Sequence, residues 1–394
     1  MKFSRIAFFL LCSLIQFNHV YANDLKEIVW DGFAYPYRTG QEAKCDSNLN
    51  PICLILESEA AHSESGFQKR FADKIAEIND NKYKITSERP KQGQGDTLHL
   101  AVSVSLEWPL SGTGTTDEDS VYFLCTTILF YKSSTTLTLI NAQPLCFIQS
   151  GYKKNSGDVL QFLNNMLYAN NSPKAVTIEK RLLSEISEVI NTKPIDLKRI
   201  SIRSVKMNED VYRNEPEKRQ LLRTFVAENL TSNISKALGK PVIPVSLRNT
   251  GKIELRFANQ LTSTTIELPK SSDYLDIVIQ PFSKKVNKDD LGYKYEVFFS
   301  MLKITHQQSE IKGNENYFSN LNLFLSSAPR RITKGNENDL EELKYINILR
   351  SLTDDIAKQF VKPDKKWLKD HLLSSDPNTA FEGFNKLATD LNAN

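Results

Sequence analysis

Two hydrophobic periods alternate along the chain. Phe67, Phe71, Ile75 and Ile78 recur at the step of a helix and leave Lys69, Arg70, Asp73, Lys74 and Glu77 on its wet side. Residues 97–107, 120–132 and 136–149 are instead rich in Val, Ile, Thr and aromatics, which is the composition of a half-buried pleated surface. Ser111 to Thr116 separates the first two of these strands and Lys132 to Thr135 turns the second into the third, so an antiparallel meander is expected. A short opening strand at 27–35, a polar cysteine-bearing segment at 38–52, a brief strand at 83–87 ending before Pro90, and helices at 158–168 and 177–190 complete a first unit.

After Lys193-Pro194 the same order returns. A strand at 198–207 precedes a helix at 217–238, in which Leu222, Val226, Leu230 and Ile234 share a face and Gly239 supplies the stop. A short strand at 242–246 and a polar hairpin at 252–268 follow, then strands at 274–282, 293–304 and 317–326. A helix at 339–361 closes this unit with Leu343, Ile346, Leu349, Leu352 and Ile356 as its apolar stripe. Asp96 to Val102 is echoed by Asp273 to Ile279 and Tyr122 to Tyr131 by Tyr295 to Ile304, at offsets of 177 and 173 residues, the drift expected of loop-length change within a duplication. The expected fold is α+β, as two tandem similar modules at 23–192 and 193–362, each a mostly antiparallel sheet of four or five strands with helices packed on it. Residues 363–394 form a helical tail that Trp367, Phe381 and Phe384 would dock.

In element order each half resembles the small α+β module of the TolB amino-terminal domain and the periplasmic part of the curli-secretion pore family. The residues that carry the likeness are Leu98 to Val102 with Tyr122 to Tyr131, and Leu275 to Phe282 with Tyr293 to Ile304 and the helix Leu352 to Ala357. It spans most of the chain beyond residue 22 and rests on topology, without a diagnostic motif; residues 108–119, the cysteines and the loop 305–316 fall outside it. The resemblance implies a non-enzymatic envelope protein.

The first residues agree with export. Lys2 and Arg5 form a basic start, Ile6 to Ile15 an apolar run shorter than the roughly 20 residues a bilayer requires, and Val20-Tyr21-Ala22 a cleavage site, with cleavage expected after Ala22. Cys12 lies inside that run behind Leu11, which does not suit a lipid-modified cysteine. Removing residues 1–22 takes Lys2 and Arg5 from the chain's 50 basic residues against 47 acidic ones, leaving a formal charge of +1. Such balance speaks against nucleic acid as a partner. No later stretch has the length and apolarity of a membrane helix. The chain is therefore expected in the periplasm or medium, with other envelope proteins as partners.

Cys45, Cys53, Cys125 and Cys146 remain, an even number that in an exported protein points to two disulfides. Of three connectivities the local one is expected: Cys45 with Cys53 across a short loop, and Cys125 with Cys146 across a hairpin. They lack the Cys-x-x-Cys spacing of a zinc site, so neither metal nor cofactor is expected. No catalytic residue is assigned either. Gly-x-Ser-x-Gly is absent, Ser111-Gly112-Thr113-Gly114 lacks the Lys that ends a phosphate loop, and the acidic runs Asp117-Glu118-Asp119 and Asp354-Asp355 read as solvated surface. His62, His99, His306 and His371 are far apart in sequence; His99 is out of phase with Leu98 and Leu100 and is expected to face water or line a cleft. Of the glycosylation acceptor patterns at Asn170, Asn229 and Asn233, the last two fall within a helix.

The aromatic opening, Trp30, Phe33, Tyr35 and Tyr37, is the best sequence candidate for a contact surface, against the plainer expectation that these residues are buried. An envelope binding or assembly protein is the first reading. A secreted hydrolase is the alternative, with His99 or His306 meeting a carboxylate and a Ser or Thr at the cleft between modules. A glycan binder that stacks on aromatics is a third.

Overall fold

The computed structural model describes residues 26–36, 51–58, 66–78, 83–87, 97–110, 121–150, 167, 177–191, 200–245, 251–258, 263–288, 294–309, 317–327, 330–332, 341–373 and 376–393. The leader, Tyr37, Cys45, His62, the 111–116 turn, Asp117 to Asp119, Asn170 and, apart from Leu167, the helix expected at 158–168 lie outside these residues.

The fold is α+β, with seven helices among the described residues. The first sheet holds β1 (Lys26–Pro36), β2 (Tyr83–Thr86), β3 (Thr97–Leu110), β4 (Val121–Ser133) and β5 (Leu137–Ser150) in the order β2-β1-β3-β4-β5, and the expected meander is β3-β4-β5. Against one face lie α1 (Pro51–Glu57), α2 (Phe67–Ala76) and α3 (Ile178–Asn191). Residues 51–57, of which only 51 and 52 are read above, as the end of a polar segment, form α1, with Pro51 in the first helical position where its missing N–H costs nothing.

β3 and β4 are buried on both faces, which is why their sequences run on as apolar rather than alternating. The even residues of β4 (Tyr122, Leu124, Ile128, Phe130) meet the three helices. Its odd residues are shared: Val121, Phe123 and Cys125 join the core around α4 (Pro216–Leu238), while Leu129 and Tyr131 face the hairpin of β7 (Lys252–Phe257) and β8 (Ser263–Glu267). In β3 a bulge between Val104 and Leu106 turns the even residues over, so that Leu100 and Val102 point to the helices but Leu106, Trp108 and Leu110 point to α4.

The hairpin at 252–268 forms as expected but pairs within the first sheet. β7 runs antiparallel to β1 and β8 pairs with β5, closing β1-β3-β4-β5-β8-β7 into a ring around Ala34, Ala101, Leu129, Leu255, Phe257 and Ile266.

The second sheet has the order β13-β12-β9-β6, from β6 (Ile200–Met207), β9 (Asp273–Ile279), β12 (Met301–Ser309) and β13 (Tyr317–Ser326). β6 and β9 are parallel, and β9, β12 and β13 are successively antiparallel. β1, β3, β4 and β5 show the same order and senses. Here one face only is covered: Leu275, Ile277 and Ile279 alternate with half-buried Tyr274, Asp276 and Val278.

Two expected strands change. The one expected at 293–304 divides at fully buried Ser300 into β11 (Lys294–Phe299) and β12. Ser300 accepts from the Ser327 amide at 2.8 Å and gives its own amide to Ser327 Oγ at 3.0 Å, which fixes the chain where it passes from one sheet to the other. β11 pairs with β10 (Ser283–Lys288) and β14 (Arg330–Ile332) in a separate three-stranded sheet. Val242 to Val245 forms no continuous strand; Pro241 and Pro244 remove the amides a ladder would use, and Val242 and Ile243 simply fill the core.

Helix α4 is the axle of the molecule. Phe225 meets Phe123 of the first sheet at 5.1 Å and Trp108 at 5.9 Å between ring centres, while Leu222, Val226 and Leu230 share a core with Ile277 and Leu302 of the second. The helix is buried round much of its circumference, Thr224, Glu228, Asn229, Thr231 and Ser235 included, so its stripe is wider than the single face read from sequence. Gly239 ends it in the left-handed conformation at φ 59°, which a glycine adopts without strain. α5 (Glu341–Gln359), α6 (Lys365–His371) and α7 (Pro377–Ala393) close the second core, where Leu368 and Phe384 are buried, so the tail is docked.

Candidate functional site

Polar side chains gather where strands are irregular. On β1 the register against β3 slips between Trp30 and Gly32, which leaves Asp31 as the extra residue of a bulge, and Gly32 takes φ 104° to allow it. The bulge turns Asp31 toward two side chains on neighbouring strands. His99 Nδ1 lies 2.8 Å from Asp31 Oδ2, and the Tyr131 hydroxyl donates to the same oxygen. The His99 and Tyr131 rings stack at 5.2 Å, and the pair is 16% exposed at His99 and 9% at Asp31. A carboxylate thus orients a histidine at the edge of the strand ring.

β6 repeats the device with other residues. Its register against β9 slips between Ile202 and Ser204, so Arg203 is the extra residue. Its guanidinium bonds both Asp276 oxygens, one at 3.1 Å from Nε, reaches Gln307 at 2.7 Å, and lies 5.6 Å over the Tyr274 ring. Ser204 Oγ donates to Asp276 at 2.6 Å. As Asp31 joins residues of β3 and β4, Arg203 joins residues of β9 and β12.

Among the described residues His306 forms a second acid–histidine pair. Its Nε2 is 2.9 Å from Asp273 Oδ1, it is fully buried, and its Nδ1 finds no partner among the described residues. Ser272 Oγ donates to the far oxygen of Asp273 at 2.6 Å. The hydroxyl therefore sits on the acid and not on the imidazole, the reverse of what deprotonating a serine requires.

Glu107 is a buried acid of β3. Sealed beneath α1, it accepts the Ile52 amide at 2.8 Å, the Cys53 amide at 3.1 Å and the Tyr122 hydroxyl at 2.5 Å. Burial pushes its carboxyl up to about 7 against these three donors, which pull the other way. Burial, and then the Glu107 charge, raises the Tyr35 phenol well above its ordinary range.

Trp30, Phe33 and Tyr35 are corrected from contact surface to core. All three are buried, and Trp30 and Phe33 pack on Phe71 of α2 at 5.6 and 5.1 Å between ring centres. The Asp31 bulge is the reason, because it places Ile28, Trp30, Phe33 and Tyr35 on one face of β1 despite the change of parity. Cys125 and Cys146 form the expected disulfide, directly opposite each other on β4 and β5 with Cα atoms 4.1 Å apart. Cys53 is disulfide-bonded as well. His99 lies on the face opposite Leu100, as its phase requires, and His371 stacks on Trp367 at 4.5 Å. Asn229 is buried and donates to Thr353 at 2.5 Å, and Thr231 is also buried.

The hydrophobic pattern singles out neither Asp31 nor Arg203 nor Glu107. Asp31-Gly32 inside an apolar strand is the available signal, since a glycine there marks a bulge. Nothing comparable marks Arg203 or Glu107.

No family model matches the chain, and no curated protein matches it. Among solved structures, a minor lipoprotein from Acinetobacter baumannii aligns with 40% of this chain and 91% of its own length, at 11% identity and a TM-score of 0.19. At that score the likeness bears on neither the fold nor the chemistry of this chain. The resemblance to the TolB and curli-pore modules finds no support in this match.

Proposed function

We propose that the chain is an exported periplasmic protein, without catalysis of its own, that binds other envelope components in an assembly or scaffold role. The observation that carries the compartment is the Cys125–Cys146 disulfide, joined by a second bond at Cys53; paired structural cysteines persist where thiols are not kept reduced. The leader layout of residues 1–22 agrees with it.

What supports a binding rather than a bond-making role is how the polar groups are used. Asp31 ties three strands together, Arg203 does the same in the second sheet, and Glu107 holds a helix. The hydrolase alternative needs a hydroxyl on His99 or His306 in addition to the carboxylate that each has; at His306 the Ser272 hydroxyl bonds Asp273 instead, and among the described residues no serine or threonine hydroxyl is bonded to His99 beside Asp31. We infer further that the halves descend from one duplicated module, since both show the same strand order and both carry a charged residue at a bulge in the opening strand.

Fractionation of cells expressing the tagged chain tests the reading. The expected result is a periplasmic product starting at Asn23, with no free thiol by non-reducing peptide mapping and with envelope proteins recovered by crosslinking. A cytoplasmic product with free thiols sinks the compartment; a periplasmic product that crosslinks to nothing sinks the binding role.

A further inference from the structure

Helix α1 rests on the first sheet through a carboxylate that it helps to bury. Glu107 is 6% exposed and receives the first two amides of α1 after Pro51, with the Tyr122 hydroxyl as its third donor. Tyr35 of β1 stands close enough for the Glu107 charge to act on its phenol. At the other end of α1, Glu57 pairs with Arg256 of β7, and Gln68 of α2 donates to the Leu56 carbonyl at 2.6 Å. Ile52 and Leu56 are the apolar side chains beneath the helix, and the disulfide at Cys53 tethers it.

We propose that α1 is a pH-responsive clasp, held shut while Glu107 is neutral and loosened from the sheet when Glu107 is charged. A buried carboxylate pays for ionisation in lost hydration, and that cost disappears if the helix lifts and water reaches it. In the closed form burial raises the Glu107 carboxyl from 4.5 to about 7. A raised acid binds its proton more tightly in the closed form than in the lifted one. The closed form therefore has its full advantage below the ordinary carboxylate range and loses it as pH rises toward about 7. The three donors oppose this without cancelling it. Lifted, α1 uncovers the apolar ledge that Ile52 and Leu56 occupy, a surface available at neutral pH and withdrawn in acid. The clasp is independent of the function proposed above.

Hydrogen exchange on the disulfide-intact full chain tests it, with protection factors corrected for intrinsic rate at pH 5 and pH 8. Residues 51–57 should lose protection by between about 10-fold and 100-fold from the lower to the higher pH, while β4 peptides keep theirs. Tyr122→Phe removes a donor that lowers the carboxyl, so it should move the midpoint of that loss to higher pH. Glu107→Gln should flatten the profile. Equal protection of 51–57 at both pH values, or a parallel loss in β4, would overturn the clasp, as would a Glu107→Gln chain that keeps the wild-type profile.

Discussion

Asp31 is the residue on which the opening strand turns. Its carboxylate satisfies the Tyr131 hydroxyl and His99 Nδ1 at once, and it is almost out of water. Replacing it by Ala removes that acceptor from both groups, at a usual cost of about 1–2 kcal/mol each for a partly shielded hydrogen bond to a carboxylate. Asp31→Ala should thus lower the urea midpoint by an amount worth about 2–4 kcal/mol with the slope unchanged; a loss under about 0.5 kcal/mol would mean that water replaces the network. Little of this is legible in the sequence. The two partners lie 68 and 100 residues from Asp31, and one residue type in a strand cannot announce contacts at that separation. The parity change from Ile28 and Trp30 to Phe33 and Tyr35 is legible, and with Gly32 between them it specifies a bulge that buries all four. On that pattern the aromatic opening belongs to the core rather than to a contact surface.

Element limits are readable even where burial is two-sided, since β4 and α4 emerge within a residue of the expected 120–132 and 217–238; what two-sided burial hides is which partner covers each face. β9 alternates strictly, though it ends at Ile279 and not at the expected 282, and α2 keeps the helical stripe of Phe67, Phe71 and Ile75. α4 serves two sheets at once, so its amphipathic pattern is blurred by buried Thr224, Glu228, Asn229 and Ser235. α1 escapes pattern reading because its seven residues are too few to show a period. Between elements, two links make distinct predictions. The Asn229 amide of α4 donates to Thr353 of α5 inside the shared core, so Thr353→Val leaves that amide unpaired. Chemical denaturation should register a loss of about 1–3 kcal/mol, and Asn229→Leu on the same background should recover part of it. The Cys125–Cys146 link closes a separation of 21 residues, for which the chain-entropy model gives about 3 kcal/mol. Replacing both cysteines by Ala should depress the melting temperature by several degrees; an unchanged melting curve would mean that the β4–β5 pairing is already as ordered in the unfolded ensemble as the disulfide makes it.

At the scale of the whole molecule, two similar strand orders do not make two independent bodies. The first half leaves the sheet face opposite α1, α2 and α3 open in two places, and the second half covers both. Helix α4 lies over Leu106, Trp108, Leu110, Val121 and Phe123, and the β7–β8 hairpin lies over Ala101, Leu129 and Tyr131. Pattern reading from either half alone could not show this, because a residue's apolarity says that it is covered and not by what. Uncovering the five side chains under α4, at roughly 1.5–3 kcal/mol each, removes about 10 kcal/mol, which is comparable with the entire stability of an ordinary domain. Residues 23–192 expressed alone are therefore expected to be insoluble or to hold secondary structure without fixed packing, seen as dye binding and a lost near-ultraviolet signal. Coexpression with residues 193–394 should restore both solubility and the signal, and the intact chain should unfold in one transition by fluorescence and circular dichroism alike. A soluble 23–192 fragment with a sharp transition of its own would show that α4 and the hairpin merely rest on the first sheet, and the shared core would then be contact without cooperation.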